Sequence, residues 1–559
     1  MTDREHLIFT NGINGDTGEY FFPPLTPEEV SKYALGEEAD RAELGELREK
    51  WNIKSIPGYR GDFKDVGDLS ETGWGVIFAH GADRAIRDAL GELLEHRKKQ
   101  ATRTDDRFYR EFVGVDAYRP GESKNDFLSR HKVGPGLVDP RNGVPYYLLI
   151  VGDPQTIPYE FQYQLDIQYA VGRIYFDTLA EYEQYARSVV MAETGQVVLP
   201  RRAGFFGVSN PDDKATQLSA DYLVQPLSEW ATRKHPDWTV QTWLKQDATK
   251  DRLSQLLGGE DTPALLFTGS HGMCFANGSP RQLAHQGALI CQDYPGPLRW
   301  NSAIPEGFYF SGDDLSSNSR LRGTIAFFFA CFGAGTPELE DFAYRERRHR
   351  RTALAPRSFV ARLPQKMLAA GALAAIGHVE RAWSCSYLWY RAGKQLQVFE
   401  TMLRYLMMGQ PVGAAVEWLN ERYAEVSCLL SDELNEINYG KQVNPGELAE
   451  MWTANNDARS YAIIGDPAVR VAVGLDIAPE GDRAAEELPR PAPPTPKRDR
   501  ATEERFRPAP PTTTPEELRR ELLPMLERFC EVAKTNPTKK WSEARMDALR
   551  LLQSLRDLQ

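Results

Sequence analysis

The run Ala264-Leu-Leu-Phe-Thr-Gly-Ser-His271-Gly272, taken with Thr324-Ile-Ala-Phe-Phe-Phe-Ala-Cys331-Phe-Gly333-Ala-Gly335-Thr-Pro337, decides how this chain is read. Each is a short, continuous apolar segment that stops abruptly, the first at a histidine followed by glycine, the second at a cysteine entering a glycine-rich turn. Runs of this length bounded by turn signals are the pattern of strands buried in a parallel sheet. Ligands of such sheets gather beyond the strands' carboxyl ends. His271 and Cys331 are therefore expected to meet at one sheet edge, although a long insertion separates them.

That pair has a definite chemistry. The thiolate, not the thiol, is the nucleophile, and a neighbouring imidazole or positive dipole must activate a cysteine that is mostly protonated at neutral pH. Gly272 and the turn at 331–335 leave backbone N–H groups facing the same space. Two such donors, from Gly272 and Cys331, would hold the oxyanion of an acyl-transfer transition state, a contribution of about 3 to 4 kcal/mol per donor. Taken alone, His271 reads as a polar strand terminus and Cys331 as a small buried hydrophobe. Their recurrence at two successive strand ends, each with glycine within two residues, favours the chemical reading. Cys274 competes as nucleophile by proximity to His271, but it does not end a strand of its own. His378 competes as base at the exit of the apolar run 372–378, and His271 is preferred because glycine follows it.

These residues resemble the caspase-like cysteine peptidases, and within them the gingipain-type and bacterial caspase-like (CHAT-like) branches. Thr268-Gly-Ser-His271-Gly272 is similar to their histidine motif and Phe329-Ala-Cys331-Phe-Gly333-Ala-Gly335 to their cysteine motif. Tyr146-Tyr-Leu-Leu-Ile-Val-Gly152-Asp153 and Leu165-Asp166-Ile-Gln-Tyr-Ala-Val-Gly172-Arg173 resemble the first, non-catalytic subdomain of the gingipain-type enzymes. Ile463-Ile-Gly465-Asp466-Pro467-Ala-Val-Arg470 resembles the strand that closes the catalytic one. The resemblance implies an α/β fold of two caspase-like parallel-sheet subdomains. It also implies an endopeptidase in which Cys331 attacks the scissile carbonyl and His271 serves the leaving amine and the deacylating water. Protein or peptide is the implied substrate, cut beside a selected side chain, with a basic one among those implied, in a bacterial defence or cell-death setting. The chemistry requires no metal or organic cofactor.

Composition bounds the alternatives. The 559 residues are too many for one ordinary core, and 41% hydrophobic with 26% charged residues is ordinary for a globular protein. A net charge of −12 argues against a general nucleic-acid binder. The start, Met1-Thr-Asp-Arg-Glu-His-Leu-Ile8, lacks an apolar signal core, and no apolar run is long enough to span a membrane. Six cysteines show neither disulfide-scaffold density nor metal-ligand spacing, which fits a reducing cytoplasm.

In chain order, residues 1–70 read as an N-terminal extension packed on the first strand-helix unit. It holds turn signals at Asn11-Gly12 and Asn14-Gly15 and one capped helix from Thr26, and no chemistry is visible in it. Residues 71–198 form the non-catalytic subdomain and 199–475 the catalytic one, each a strand-helix alternation. In the second, Asn210-Pro211-Asp212-Asp213 should open on the same edge as His271 and Cys331. The family resemblance nominates Asp212 or Asp213 as a substrate-pocket acid; the plainer reading is a turn with a helix cap. Trp383 is expected to line the substrate groove, and Glu380 or Arg381 to bind substrate or close an internal ion pair. The basic run Arg345-Glu-Arg-Arg-His-Arg-Arg351 reads first as a solvated loop, and by its position after Cys331 as a processing site at Arg347 or Arg348. Residues 476–515, with Pro-Ala-Pro-Pro-Thr repeated, are a spacer, and 516–559 a helical module suited to binding a partner protein. A scaffold that keeps this fold and assembles partners through that module is the alternative to the enzyme.

Overall fold

The computed structural model describes residues 7–36, 63–134, 137–316, 318–340, 352–389 and 392–474. The chain divides into two compact units, residues 1–486 and 487–559. The expected helical module lies outside the described residues, as do the spacer and the loop holding Arg347 and Arg348.

Ten strands form the main sheet: β1 (Trp74–Phe78), β2 (Tyr109–Phe112), β3 (Tyr147–Val151), β4 (Ala170–Ile174), β5 (Arg202–Gly207), β6 (Thr239–Leu244), β7 (Leu265–Gly269), β8 (Ile325–Phe329), β9 (Ala374–His378) and β10 (Tyr461–Gly465). Their spatial order is β2-β1-β3-β4-β10-β9-β8-β7-β5-β6. The two expected sets of strands thus join in one continuous sheet, with β10, the last in sequence, inserted at the joint. Residues along β1, β3, β4, β7, β8, β9 and β10 are buried throughout, which is why their sequences are continuously apolar rather than alternating. The outermost strands, β2 and β6, are only partly covered.

Two devices hold the joint. Gly172 on β4 lies so close to β10 that a Cβ there would sit 2.1 Å from the Gly465 carbonyl oxygen. Just beyond β10, the buried carboxylate of Asp466 accepts from the Trp74 indole at 3.0 Å and from Arg97 Nε at 2.7 Å. Arg97 itself is fully buried and makes a two-pronged contact with Glu193 at 2.6 Å for each prong. This is the physical content of the Gly465-Asp466-Pro467 motif. The other Gly-Asp turn, at Asp153, is occupied by its own backbone: Gln155 N–H donates to its carboxylate at 2.5 Å.

On the other side of the joint, the strands carrying His271 and Cys331 are clamped by an aromatic ladder. Phe205, Phe267 and Phe327 stand opposite one another on β5, β7 and β8, with ring centroids 5.9 and 4.7 Å apart. Each such contact adds about 0.5 to 1.5 kcal/mol beyond its buried area. Beside this rim lies a second, four-stranded sheet, ordered Gly12–Asn14, Gly272–Cys274, Leu289–Ile290 and Tyr309–Phe310. It closes over Ile13, Met273, Phe275, Ile290 and Tyr294. The insertion after His271 and the N-terminal segment therefore fold together.

Candidate active site

β7 and β8 are parallel and in register, Gly269 opposite Phe329, and each continues two residues further to His271 and Cys331. Ser270 N–H donates to the Phe329 carbonyl at 3.1 Å, carrying the register one step past the strands. The glycine after the histidine has a steric reason: a Cβ at Gly272 would lie 1.9 Å from the Cys331 carbonyl oxygen. After Cys331 the chain turns through a left-handed Phe332, φ 59°, whose N–H is held by the Glu380 carbonyl at 2.7 Å. A bulky residue in that conformation is strained and needs its surroundings to fix it.

His271 is completely buried, and its Nε2 meets Asp213 Oδ2 at 2.7 Å. The same carboxylate accepts from Thr216 Oγ1 at 2.7 Å and from the Tyr20 hydroxyl at 2.6 Å. Burial pushes the Asp213 carboxyl upward, but the charge and hydrogen bond of His271 and the hydroxyls of Thr216 and Tyr20 outweigh it, so it stays below the usual range. The Tyr20 phenol is driven in the opposite direction, upward, by burial and by the carboxylate it faces. With Asp213 on Nε2, the remaining ring nitrogen, Nδ1, is buried and has no hydrogen-bond partner.

The Cys331 thiol receives the Ala382 N–H at 3.3 Å. Cys274 is its immediate neighbour; its own S–H points to the Gly272 carbonyl at 3.3 Å, and burial together with Cys331 pushes that thiol well above its ordinary value. His378 is turned to another task, with Nε2 3.1 Å from Asp457, which also accepts the Trp383 N–H at 2.8 Å.

A peptide occupies this site, and it belongs to the chain's own N-terminal segment. The Asn11 carbonyl oxygen accepts from Gly272 N–H at 2.9 Å and from Cys331 N–H at 3.0 Å. Residues 9–11 run antiparallel to 382–384: Asn11 N–H donates to the Ala382 carbonyl at 3.0 Å, Ser384 N–H donates to the Phe9 carbonyl at 3.0 Å, and Thr10 bridges Trp383. The fully buried Asn11 side chain donates from Nδ2 to Ser219 Oγ and to the Ser270 carbonyl, both at 3.2 Å. Gly12 then pairs with Gly272.

Of the expected residues, His271, Gly272 and Cys331 converge, and Trp383 lies on the strip that pairs with residues 9–11. Asp213, expected in a substrate pocket, stands behind His271 instead, because Asp212 is the residue in the left-handed turn (φ 59°) and points outward to Arg299 at 2.8 Å. Glu380 and Arg381 form an internal, buried pair extended to Glu340, and the Arg381 guanidinium lies 3.7 Å from the centre of the Phe22 ring. Asn11, Tyr20, Thr216 and Ser219 carry no signal in the sequence that singles them out. Among the described residues no group of three or more histidine, cysteine, aspartate or glutamate side chains could hold a metal ion, and no helix is long and apolar enough to cross a membrane.

No protein-family model and no curated protein matches the chain. Among solved structures it is similar to a protease at 13% identity, covering 72% of this chain and 80% of that one with a TM-score of 0.41. It is similar to the complex of the Porphyromonas gingivalis RgpB pro- and mature domains at 12% identity, covering 71% and 79% with a TM-score of 0.36. A third, the separase–securin complex of Saccharomyces cerevisiae, is 9% identical over 58% of this chain and 16% of that one, with a TM-score of 0.28. The likeness is one of fold, that of the caspase-like cysteine peptidases.

Proposed function

We propose that this chain is a cysteine endopeptidase. The observation that carries the reading is the pair of N–H donors, Gly272 and Cys331, converging on one carbonyl oxygen beside a thiol whose neighbouring strand ends in a carboxylate-backed imidazole. In a substrate placed there, Cys331 Sγ attacks the carbonyl carbon while its proton passes to His271 Nδ1. The oxygen, now negative, is held by the two N–H groups at the distances an oxyanion needs. His271 returns the proton to the leaving amine, and the carbon–nitrogen bond breaks. Water then attacks the thioester, giving its proton to His271, and the carboxylate leaves as the thiol is restored. Asp213 is a positioning residue: it keeps the proton on Nε2 so that Nδ1 remains the base. The strip at 382–384 binds the substrate backbone by strand addition, with Trp383 in its wall. A cytoplasmic setting belongs to this proposal and fits the five free thiols among the described residues. A preference for basic side chains finds little support here, since Asp213 is engaged by His271 and Asp212 by Arg299.

The test is intact mass after treatment with peptidyl electrophiles of varied side chain, in parallel with Cys331→Ala, His271→Ala and Cys274→Ala. A single adduct lost in Cys331→Ala, slowed in His271→Ala and kept in Cys274→Ala is expected. An adduct that survives Cys331→Ala would remove the proposed nucleophile.

A further inference from the structure

The N-terminal segment is placed as a substrate is placed, and not merely packed nearby. Its extended residues 9–11 add an antiparallel strand to 382–384, and its Asn11 carbonyl oxygen sits on both proposed oxyanion donors. The residue after it has no room for a side chain: a Cβ at Gly12 would lie 2.9 Å from Cys274 Sγ and 3.0 Å from Cys331 Sγ. The bond between them therefore lies directly beside the thiol. We propose that Asn11–Gly12 is a peptide bond this site cleaves in its own chain, and that the pocket holding Asn11 selects a short neutral amide side chain. This rests on the peptidase reading above.

The selectivity comes from the direction of the hydrogen bonds. Ser219 spends its own proton on the Thr216 carbonyl at 3.1 Å, so toward Asn11 it can only accept, as the Ser270 carbonyl must. Two acceptors call for an N–H donor. Aspartate at position 11 would present a carboxylate to both, and sites built on such bonds discriminate by about 10⁴-fold or more. Arginine would bring donors, but on a side chain several atoms longer than the one that is already fully buried.

The step balances as one hydrolysis. A bond forms between Cys331 Sγ and the Asn11 carbonyl carbon, the bond to the Gly12 nitrogen breaks, and the thiol proton reaches that nitrogen through His271. One water then releases residues 1–11 with a carboxylate at Asn11 and returns the proton to sulfur. Gly12 becomes a new amino terminus, held in place by its pairing with Gly272. Because the bond is presented intramolecularly, no encounter step limits it.

The experiment tracks the full chain by intact mass and amino-terminal sequencing, alongside Cys331→Ala, Asn11→Asp, Asn11→Arg and Gly12→Val, the last tested also with a peptidyl electrophile carrying asparagine. The expected result is a product beginning at Gly12 from the parent, no product from Cys331→Ala, and at least a roughly hundredfold slower cut in Asn11→Asp and Asn11→Arg, equivalent to two decades in rate. Gly12→Val, whose side chain cannot share the space with the two sulfurs, should stay uncut and take up the electrophile at Cys331 faster than an uncut Asn11→Asp chain does. A cut in Cys331→Ala as fast as in the parent would reveal spontaneous Asn–Gly chemistry and overturn the proposal. An intact parent whose Cys331 is nevertheless labelled in Gly12→Val would overturn self-cleavage and leave the peptidase reading standing. An intact parent with no labelling in any variant would sink both. Asn11→Arg cut as readily as the parent would overturn the amide selectivity alone.

Discussion

Replacing Asp213 by asparagine tests the proposed machinery at the point where a single proton decides the outcome. In the parent, three donors converge on this carboxylate: Tyr20 Oη at 2.6 Å, Thr216 Oγ1 at 2.7 Å and His271 Nε2 at 2.7 Å. Asparagine retains one acceptor oxygen and turns an N–H toward whichever partner is left. If that partner is His271, Nε2 must accept, and its proton moves to Nδ1, the atom the mechanism needs as a base. A comparable tautomer error in a serine-peptidase triad lowers kcat by about 10⁴. The expected loss in kcat/KM here is likewise about 10⁴-fold, or about 5.4 kcal/mol at 1.36 kcal/mol per decade. If asparagine instead turns its N–H against Tyr20 or Thr216, the penalty appears as stability, about 1 to 3 kcal/mol for a buried donor left unpaired. Hydrolysis of an internally quenched peptide carrying residues 7–16 across pH 5 to 9 separates the two, together with denaturant unfolding on the Cys331→Ala background. A loss under roughly tenfold, with the pH profile unmoved, would refute Asp213 as the group that sets the tautomer.

Gly272→Ala should fold but lose about 10²- to 10³-fold in turnover, because its Cβ would press on the Cys331 carbonyl and shift one oxyanion donor; full activity would show that the N–H is not used. Arg97→Met removes the buried partner of Asp466 and Glu193, and a loss of about 3 to 5 kcal/mol in denaturant unfolding is expected from the stranded carboxylates. Acid should also expose that cluster. Burial raises the Glu193 carboxyl, but the Arg97 charge and the hydrogen bonds from His96, Arg97 and Gln100 outweigh it, and its net displacement, like that of Asp213, is downward. A folded value below the unfolded one means stability that is complete above about pH 4 and is lost as pH falls through the lowered folded values. Unfolding midpoints that do not fall between pH 5 and pH 2 would contradict this.

The strands carrying His271 and Cys331 were readable because burial on both faces leaves a continuous apolar run, and because steric limits at Gly272 print a glycine beside the histidine. Strand β2 escaped notice since Tyr-Arg-Glu-Phe is a short, half-covered edge with no strong period. Which of two adjacent acids faces inward is a matter of one backbone angle: the left-handed turn at Asp212 sends it to solvent and commits Asp213 to His271. Asn11-Gly12 carried the same local signal as Asn14-Gly15, yet only the second is a turn, with Gly18 N–H closing on the Asn14 carbonyl at 2.7 Å. Composition alone cannot tell a dipeptide that bends from one held straight by partners more than 200 residues away, such as Ser219. Tyr20 and Thr216 were hidden for the same reason, since their roles exist only through a third residue brought in by the sheet.

The place of β10 in the sheet also bears on the order in which the molecule can be made. It pairs with β4 on one side and β9 on the other, yet it is the last of the ten strands to leave the ribosome. Until Tyr461–Gly465 has emerged, both of those neighbours present open edges whose unpaired N–H and C=O groups invite other chains. A polypeptide ending before Tyr461 is thus expected to form aggregates in the cell instead of a shorter soluble protein, and nascent chains stalled in that region should be the ones most dependent on chaperones.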